Sequence, residues 1–266
     1  MSIRTEIIGN LEILTAENIP VPHCFTTRFG GVSRGIFDSM NIAMHRGDLD
    51  ENVEKNYEIL SDSLNFEKKN LVLTHQVHSN IVRVVTKKDA QGLDHHEYPE
   101  CDALITNDPG TALVAFTADC TPILFHDPVT GAVGAAHAGW RGTAADIAGK
   151  TVRAMMDAFG CRPENIRAAI GPNIGPCCFA CDADVPEAMV HGLGDAALAW
   201  VSACNGKYYV NLKEINAQFL RNAGVCHIEI STDCTMCQPN RFWSHRVTKG
   251  ARGSQGAVIV CQGGKS

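Results

Sequence analysis

The 266-residue chain is 45% hydrophobic and 20% charged, with a formal net charge of −6. It is long enough to bury a large core, and it offers no basic surface that would suit nucleic acid. No apolar run approaches membrane-spanning length and the start, MSIRTEIIGN, lacks an apolar signal segment, so a cytoplasmic protein without a membrane partner is expected, its twelve cysteines reduced or metal-bound rather than disulfide-paired.

Along the chain, Glu6 to Ile13 and His23 to Thr27 read as strands, the second ending at Arg28. Arg28-Phe29-Gly30-Gly31-Val32-Ser33 is then a glycine-rich turn, open to two readings: a tight surface loop, or backbone and Arg28 together holding an anion. Val53, Tyr57, Leu60 and Leu64 recur at helical spacing, which predicts a packing helix over Asp50 to Leu64 with Asp50 as N-cap. Strands are expected at Leu71 to Thr74 and Ile81 to Thr86. If the segment between them is extended, Gln76 and His78 share one face and His75 takes the other. Lys87 to Glu100 reads as a polar loop in which His95-His96 are solvated. Cys101 to Thr106 and Ala112 to Thr117 read as strands around the turn Asn107-Asp108-Pro109-Gly110.

The stretch Ala118 to Thr143 carries the chemistry. We expect a strand ending in Cys120, a turn at Asp127 to Gly131, a second strand ending in His137, and a glycine-flanked Arg141. A core needs no cysteine, histidine and arginine gathered in one place, so catalytic roles are assigned to Cys120, His137 and Arg141. Thr143, with Asp146 three residues on, reads as an approximate capping box opening a helix. Ile147, Val152, Met155, Met156 and Phe159 give that helix its apolar face, and Gly160 stops it. The helix start beside Arg141 suits phosphate or carboxylate, the other reading being a structural ion pair of Arg141. Ile166 to Ile170, Val225 to Ser231 and Ala257 to Cys261 read as strands. Gly171 to Cys178 is a stiff loop, and Asn211 to Asn222 a helix stopped by Gly224. With no linker or repeat, residues 1–266 are expected to form one interwoven domain of α+β (mixed α/β) class, with mixed sheets and helices outside.

Two metal-binding patterns need weighing. The C-x-x-C pairs Cys178/Cys181 and Cys234/Cys237 could supply a four-thiolate zinc site, but they stand far apart in the chain and most of these thiols read as small buried hydrophobes. His78, Cys120 and His137 are three borderline ligands that suit zinc and leave a fourth position open. Copper fits less well, since no compact Cys/His/Met arrangement accompanies them.

Arg28-Phe-Gly-Gly-Val-Ser33, Gln76-Val-His78, Asp102-Ala-Leu-Ile-Thr106, Ala118-Asp-Cys120, His137-Ala-Gly-Trp-Arg-Gly142 and Ile170-Gly-Pro172 with Cys177-Cys178 occur in this order. Together they resemble the bacterial laccase-domain family, once labelled multicopper polyphenol oxidase and including the peptidoglycan editing factor. The resemblance implies a zinc-dependent purine nucleoside phosphorylase, active also as an adenosine deaminase and a methylthioadenosine phosphorylase. It implies zinc ligands at His78, Cys120 and His137, phosphate as co-substrate, and a layered α/β/β/α sandwich. Contacts to nucleoside and phosphate are then expected from Arg28, Gln76, Arg141 and Arg246. Where members carry an aromatic-Ser-Tyr-Arg-Arg segment, this chain has Trp243-Ser244-His245-Arg246-Val247 and keeps only the first arginine. The alternatives are a Cys120/His137 hydrolase or deamidase acting on peptidoglycan precursors, a copper-dependent polyphenol oxidase, and a non-catalytic binding module.

Overall fold

A computed structural model describes residues 3–264. The chain opens with an antiparallel hairpin of β1 (Ile3–Ile8) and β2 (Leu11–Ala16). The sequence predicts one strand over Glu6 to Ile13; Gly9, at φ 62°, turns the chain instead. Next come β3 (His23–Thr26), α1 (Asp50–Leu64), β4 (Leu71–Leu73), β5 (Val82–Val84), β6 (Ala103–Thr106), β7 (Ala112–Thr117), β8 (Thr121–His126) and β9 (Val133–Ala138). The α1 bounds agree with expectation, but Leu49 occupies the N-cap and Asp50 the first turn, where its charge complements the helix dipole.

After β9 the chain forms α2 (Trp140–Ala144), α3 (Ile147–Phe159), β10 (Arg167–Ile170), β11 (Ala180–Cys181), α4 (Asp184–Leu193), β12 (Val201–Cys204) and β13 (Lys207–Val210). It ends with α5 (Leu212–Asn222), β14 (His227–Ile230), α6 (His245–Thr248) and β15 (Gln255–Val260). The long helix expected from Thr143 starts later, because the Asp146 side chain caps it by accepting the Gly149 backbone N–H at 2.9 Å. Arg141 therefore lies within the short α2 rather than beside the N-terminus of α3. Met156, assigned to the apolar face, is exposed: it sits one residue off the buried stripe of Val152 and Met155. The small sheet β11-β13-β12 escaped the sequence reading because its strands are short and largely exposed, without a clear apolar alternation.

Two six-stranded sheets, ordered β1-β2-β3-β15-β7-β4 and β14-β10-β8-β9-β6-β5, form one mixed α/β domain with interspersed helices. Both are mixed: β4 runs parallel to β7, β5 to β6 and β14 to β10, and the other pairings are antiparallel. Strands β7 and β15 pack against β8 and β9. Burial of β7, β8 and β9 on both faces explains why they read as continuous apolar runs. Val53, Tyr57 and Leu60 of α1 join one core with Leu11, Val114 and Val258, while Ile147, Val152 and Met155 of α3 join another with Ile105, Phe125 and Ile170. Each such side chain contributes roughly 1.5–3 kcal/mol on burial. No helix among the described residues is long and apolar enough to cross a membrane.

The register positions the chemistry. Thr121 pairs with Ala138 and Pro122 with His137, so Cys120 lies at the same end of the β8/β9 hairpin as His137. Cys120 does not end a strand, as expected, but sits in the bend between β7 and β8. On the other side of β9, Ala103 pairs with Ala136, and the His137 backbone N–H donates to the Asp102 carbonyl at 2.7 Å.

Candidate functional site

Ligand atoms of His78, Cys120 and His137 all lie within 4.8 Å of one another. The three come from the loop after β4, the β7–β8 bend and the end of β9. Glycine makes this approach possible: a Cβ on Gly139 would lie 2.5 Å from His78 Nδ1, and one on Gly142 would lie 2.8 Å from the Ser79 carbonyl oxygen. The two glycines of the His-Ala-Gly-Trp-Arg-Gly stretch thus leave room for the His78–Ser79 loop.

Asp102 organises both imidazoles. Its carboxylate accepts from His137 Nδ1 at 2.8 Å, from the backbone N–H groups of Val77, His78 and Ser79, and from the Ser79 hydroxyl at 2.6 Å. Those bonds offset the cost of His78 at φ 59°, a left-handed backbone rare outside glycine. Burial alone would raise the Asp102 pKa, but the hydrogen bonds from His137 and Ser79 outweigh it and hold the carboxyl below its usual range. Burial likewise pushes the His137 imidazole down, yet the Cys120 sulfur and Asp102 carboxylate prevail and raise it to about 9. The same negative surroundings favour a metal cation. Partial burial and the neighbouring His137 lower the His78 pKa, which keeps a lone pair available at neutral pH. Two imidazoles and one thiol, with a carboxylate fixing one ring from outside, form a three-donor set that could hold a metal ion.

These residues open onto a cavity of about 420 Å³. Asp119 shapes its floor. Its φ of 85° turns the chain just before Cys120, and its carboxylate accepts from Thr235 Oγ1 at 2.6 Å, Ser244 Oγ at 3.1 Å and the Arg246 backbone N–H at 2.7 Å. Phe116, Trp140 and Phe179 supply apolar wall, and Arg46, Arg246 and Arg252 supply positive charge. Arg252 is only 9% exposed, no carboxylate among the described residues lies within 4.0 Å of it, and its Nε has no hydrogen-bond partner. Burial and the nearby Arg46 lower its pKa to about 10, so it remains cationic at neutral pH.

The other expected contacts are placed unevenly. Gln76 and Arg246 line the cavity together with His78. The Gln76 amide is committed to the Phe116 backbone, donating to its carbonyl at 2.9 Å and accepting its N–H at 2.6 Å. His75 turns the other way, its Nδ1 2.8 Å from the Tyr98 carbonyl, as the alternation implied. Arg141 is exposed and does not line the cavity; its guanidinium lies 4.1 Å from the ring centroid of Trp140, which does. Among the described residues it has no carboxylate partner. Arg28 also lies outside the lining set: its guanidinium donates to the carbonyls of Asp38 and Pro239 and stacks on Trp243 at 4.0 Å. His95, read as solvated, is half-buried in the cavity wall beside Phe116, and burial lowers its pKa to about 4.

Sequence reasoning gave no role to Asp102, Asp119, Arg46 or Arg252. Asp102 and Asp119 each sit within a quoted motif, and that was the available signal. Arg46 and Arg252 stand in segments with no pattern of their own. A second group also comes together: the sulfurs of Cys177, Cys178, Cys234 and Cys237. This corrects the reading of these thiols as buried hydrophobes, since Cys177 and Cys237 are exposed, and the adjacent Cys177, not Cys181, completes the set. Cys181 points its sulfur to the Tyr208 carbonyl instead.

Comparison with known proteins places the chain in a family. The family described as multi-copper polyphenol oxidoreductase laccase matches over residues 22–262. A Geobacillus stearothermophilus protein named purine nucleoside phosphorylase YlmD is 39% identical over 241 residues, 88% of each chain. The Escherichia coli protein named purine nucleoside phosphorylase YfiH is 36% identical over 229 residues, 86% of this chain and 89% of its own. The crystal structure of YlmD from G. stearothermophilus superposes with a TM-score of 0.91 at 35% identity, covering 98% of this chain and 99% of that one. The chain therefore belongs to the laccase-domain family that includes the YlmD and YfiH proteins.

Proposed function

We propose that the chain is a zinc-dependent purine nucleoside phosphorylase that also deaminates adenosine and cleaves methylthioadenosine. The observation that carries this reading is Arg252. A buried guanidinium without a carboxylate partner is costly, and an anion entering the cavity would compensate it. Arg46 and Arg246 add charge to the same wall, and the apolar surfaces of Phe116, Trp140 and Phe179 suit a purine ring.

Zinc held by His78, Cys120 and His137 would supply a Lewis acid with an open coordination position. Asp102 keeps the His137 proton on Nδ1 and so presents Nε2 as ligand. Arg252, Arg246 and Arg46 hold phosphate. A phosphate oxygen attacks the ribose C1′, the bond from C1′ to the purine nitrogen breaks, and the base leaves carrying that electron pair until it gains a proton. Arg141, at the rim on Trp140, adds charge toward phosphate. Gln76 fixes the Phe116 wall, and Arg28 positions the segment of Trp243, whose neighbours Ser244 and Arg246 bind Asp119. Deamination exchanges the C6 amino group for the oxygen of water, releasing ammonia, and needs no phosphate.

We read the layering as α/β/β/α, because α1 and α3 contribute to separate cores on the two sheets, and one domain across residues 1–266. A reducing cytoplasmic location fits the free thiols. A second reading has a specific observation behind it: Cys120, His137 and Asp102 also form a nucleophile–base–orienter series, as in a Cys/His hydrolase or deamidase acting on peptidoglycan precursors. Phosphate titration of inosine cleavage tests the first reading. Arg252→Gln should raise the phosphate KM roughly a hundredfold while metal content holds. An unchanged KM would remove phosphate from this wall.

A further inference from the structure

We propose a second metal site, a four-thiolate zinc centre formed by Cys177, Cys178, Cys234 and Cys237, which braces the loops supporting the bend before Cys120. All four sulfurs lie within 4.8 Å of one another. Cys177 and Cys178 stand 3.6 and 3.4 Å from Cys237. Zinc–sulfur bonds of about 2.3 Å in a tetrahedron put sulfurs roughly 3.8 Å apart, whereas a disulfide requires about 2.05 Å. The spacing therefore matches four thiolates around one ion.

The surrounding backbone is built for thiolate. Gly175 donates its N–H to Cys234 Sγ at 3.2 Å, and a Cβ at Gly175 would meet Cys177 Sγ and the Cys234 Cβ at 3.3 Å each. Charge gives an independent argument. Lys213 is 6% exposed, and its ammonium donates to the carbonyls of Ser231 and Asp233 at 2.7 and 2.8 Å. No carboxylate among the described residues lies within 4.0 Å of it. Four thiolates around a divalent ion carry a net double negative charge, and the Cys234 and Cys177 sulfurs act on this buried ammonium after the Asp233 carboxylate, so the ion and its thiolates add to its countercharge.

The site's position gives it a purpose. Two loops meet there, and their backbones are already joined, with the Thr235 N–H donating to the Asn173 carbonyl at 2.9 Å. From one loop, the Ile174 N–H donates to the Asp119 carbonyl at 2.9 Å; from the other, Thr235 Oγ1 donates to the Asp119 carboxylate. Both loops thus hold the left-handed residue next to Cys120, and the first also carries Ile174 and Phe179 into the cavity wall. An ion at the four sulfurs would fix loops that otherwise meet through few hydrogen bonds. No step of the proposed reaction uses it.

Zinc content and cobalt(II) spectroscopy on Cys120→Ala test the site, because that substitution removes a ligand of the cavity centre only. Cys120→Ala should retain one tightly held zinc per chain. Replacing that zinc with cobalt should give the intense near-ultraviolet thiolate charge-transfer bands and the visible bands of a tetrahedral four-sulfur site. Cys177→Ser combined with Cys237→Ser should lose this signal. A zinc-edge anomalous map of wild-type crystals needs no variant to fold, and it should place a peak among the four sulfurs. No zinc in Cys120→Ala, coordination by nitrogen and oxygen alone, or a Cys178–Cys237 disulfide in protein prepared without oxidant would overturn the proposal. Each result is independent of whether the cavity turns over nucleosides.

Discussion

The two sulfur-bearing clusters are built from similar atoms to different ends. His78, Cys120 and His137 come from ends and bends of the main sheets, offer three ligands, and face a cavity. Cys177, Cys178, Cys234 and Cys237 come from two loops, offer four ligands, and lie outside the lining of that cavity. Three ligands leave a position for chemistry, and four close the coordination sphere. The support differs in the same sense. Asp102 and Asp119 fix the first cluster through buried carboxylates, whereas Gly175 donates its N–H to Cys234 of the second and the Lys213 ammonium interacts electrostatically with Cys234 and Cys177. Ligand count and what each cluster faces distinguish the two better than ligand identity does, and the different roles proposed for them rest on that difference.

The largest effect on activity should come from the three-ligand cluster. His78→Ala, Cys120→Ala and His137→Ala should each lose the cavity zinc and lower inosine phosphorolysis by roughly a thousandfold or more. Circular dichroism should show the fold retained. Full activity in Cys120→Ala would erase the functional difference between the clusters. A metal-free wild-type protein with a readily alkylated Cys120 would turn the reading toward the Cys/His hydrolase.

Asp102→Asn sharpens the comparison one layer further out. The amide keeps the size of the side chain but cannot accept from His137 Nδ1 and three backbone N–H groups with the same charge. Zinc affinity should fall about 10- to 100-fold, measured by competition with a chromogenic chelator, while the four-thiolate site is unaffected. Equal loss at both sites would mean that the substitution acts through the fold.

Arg141→Ala should cost less, roughly three- to tenfold in phosphorolysis, because the guanidinium is exposed and sits on Trp140 at the rim. Zinc should be retained and adenosine deamination should suffer less than phosphorolysis. Arg141→Lys should recover part of the loss, restoring charge but not the planar fork. Equal losses in both reactions would assign Arg141 to positioning the nucleoside.

The smallest effect on activity lies away from both clusters, at His126 on the far end of β8. Burial, then Arg167, depresses its pKa to about 4. The unfolded chain therefore binds a proton below about pH 6.5 that the folded chain refuses until about pH 4. The resulting stability is fully present above pH 6.5 and is lost as the pH falls toward 4, at about 1.4 kcal/mol for each unit between the two values. The drop in Tm between pH 7.5 and 5 should shrink in His126→Gln. An undiminished drop would place the titration on other histidines.

Much of the candidate site was legible because β7, β8 and β9 are buried on both faces, so that Cys120 and His137 stand out from apolar runs. Gln76 and His78 both line the cavity while His75 turns to the Tyr98 carbonyl, as the alternation predicts. Legibility failed where function depends on distant pairings. Asp102 reads as an ordinary strand residue until β6 is laid beside β9. Arg252 gains meaning only when a buried guanidinium is seen without a carboxylate. The four cysteines follow a spacing rule only in part, since the fold selects the adjacent pair Cys177-Cys178 against Cys234 and Cys237 and leaves Cys181 outside.

Product analysis of wild-type protein is the most direct test of the proposed chemistry. Zinc-loaded enzyme would be incubated with inosine, with and without inorganic phosphate, and the sugar product identified. Hypoxanthine should appear only with phosphate, in step with ribose 1-phosphate. Free ribose released at the same rate without phosphate would contradict phosphorolysis and make the cavity a hydrolytic site.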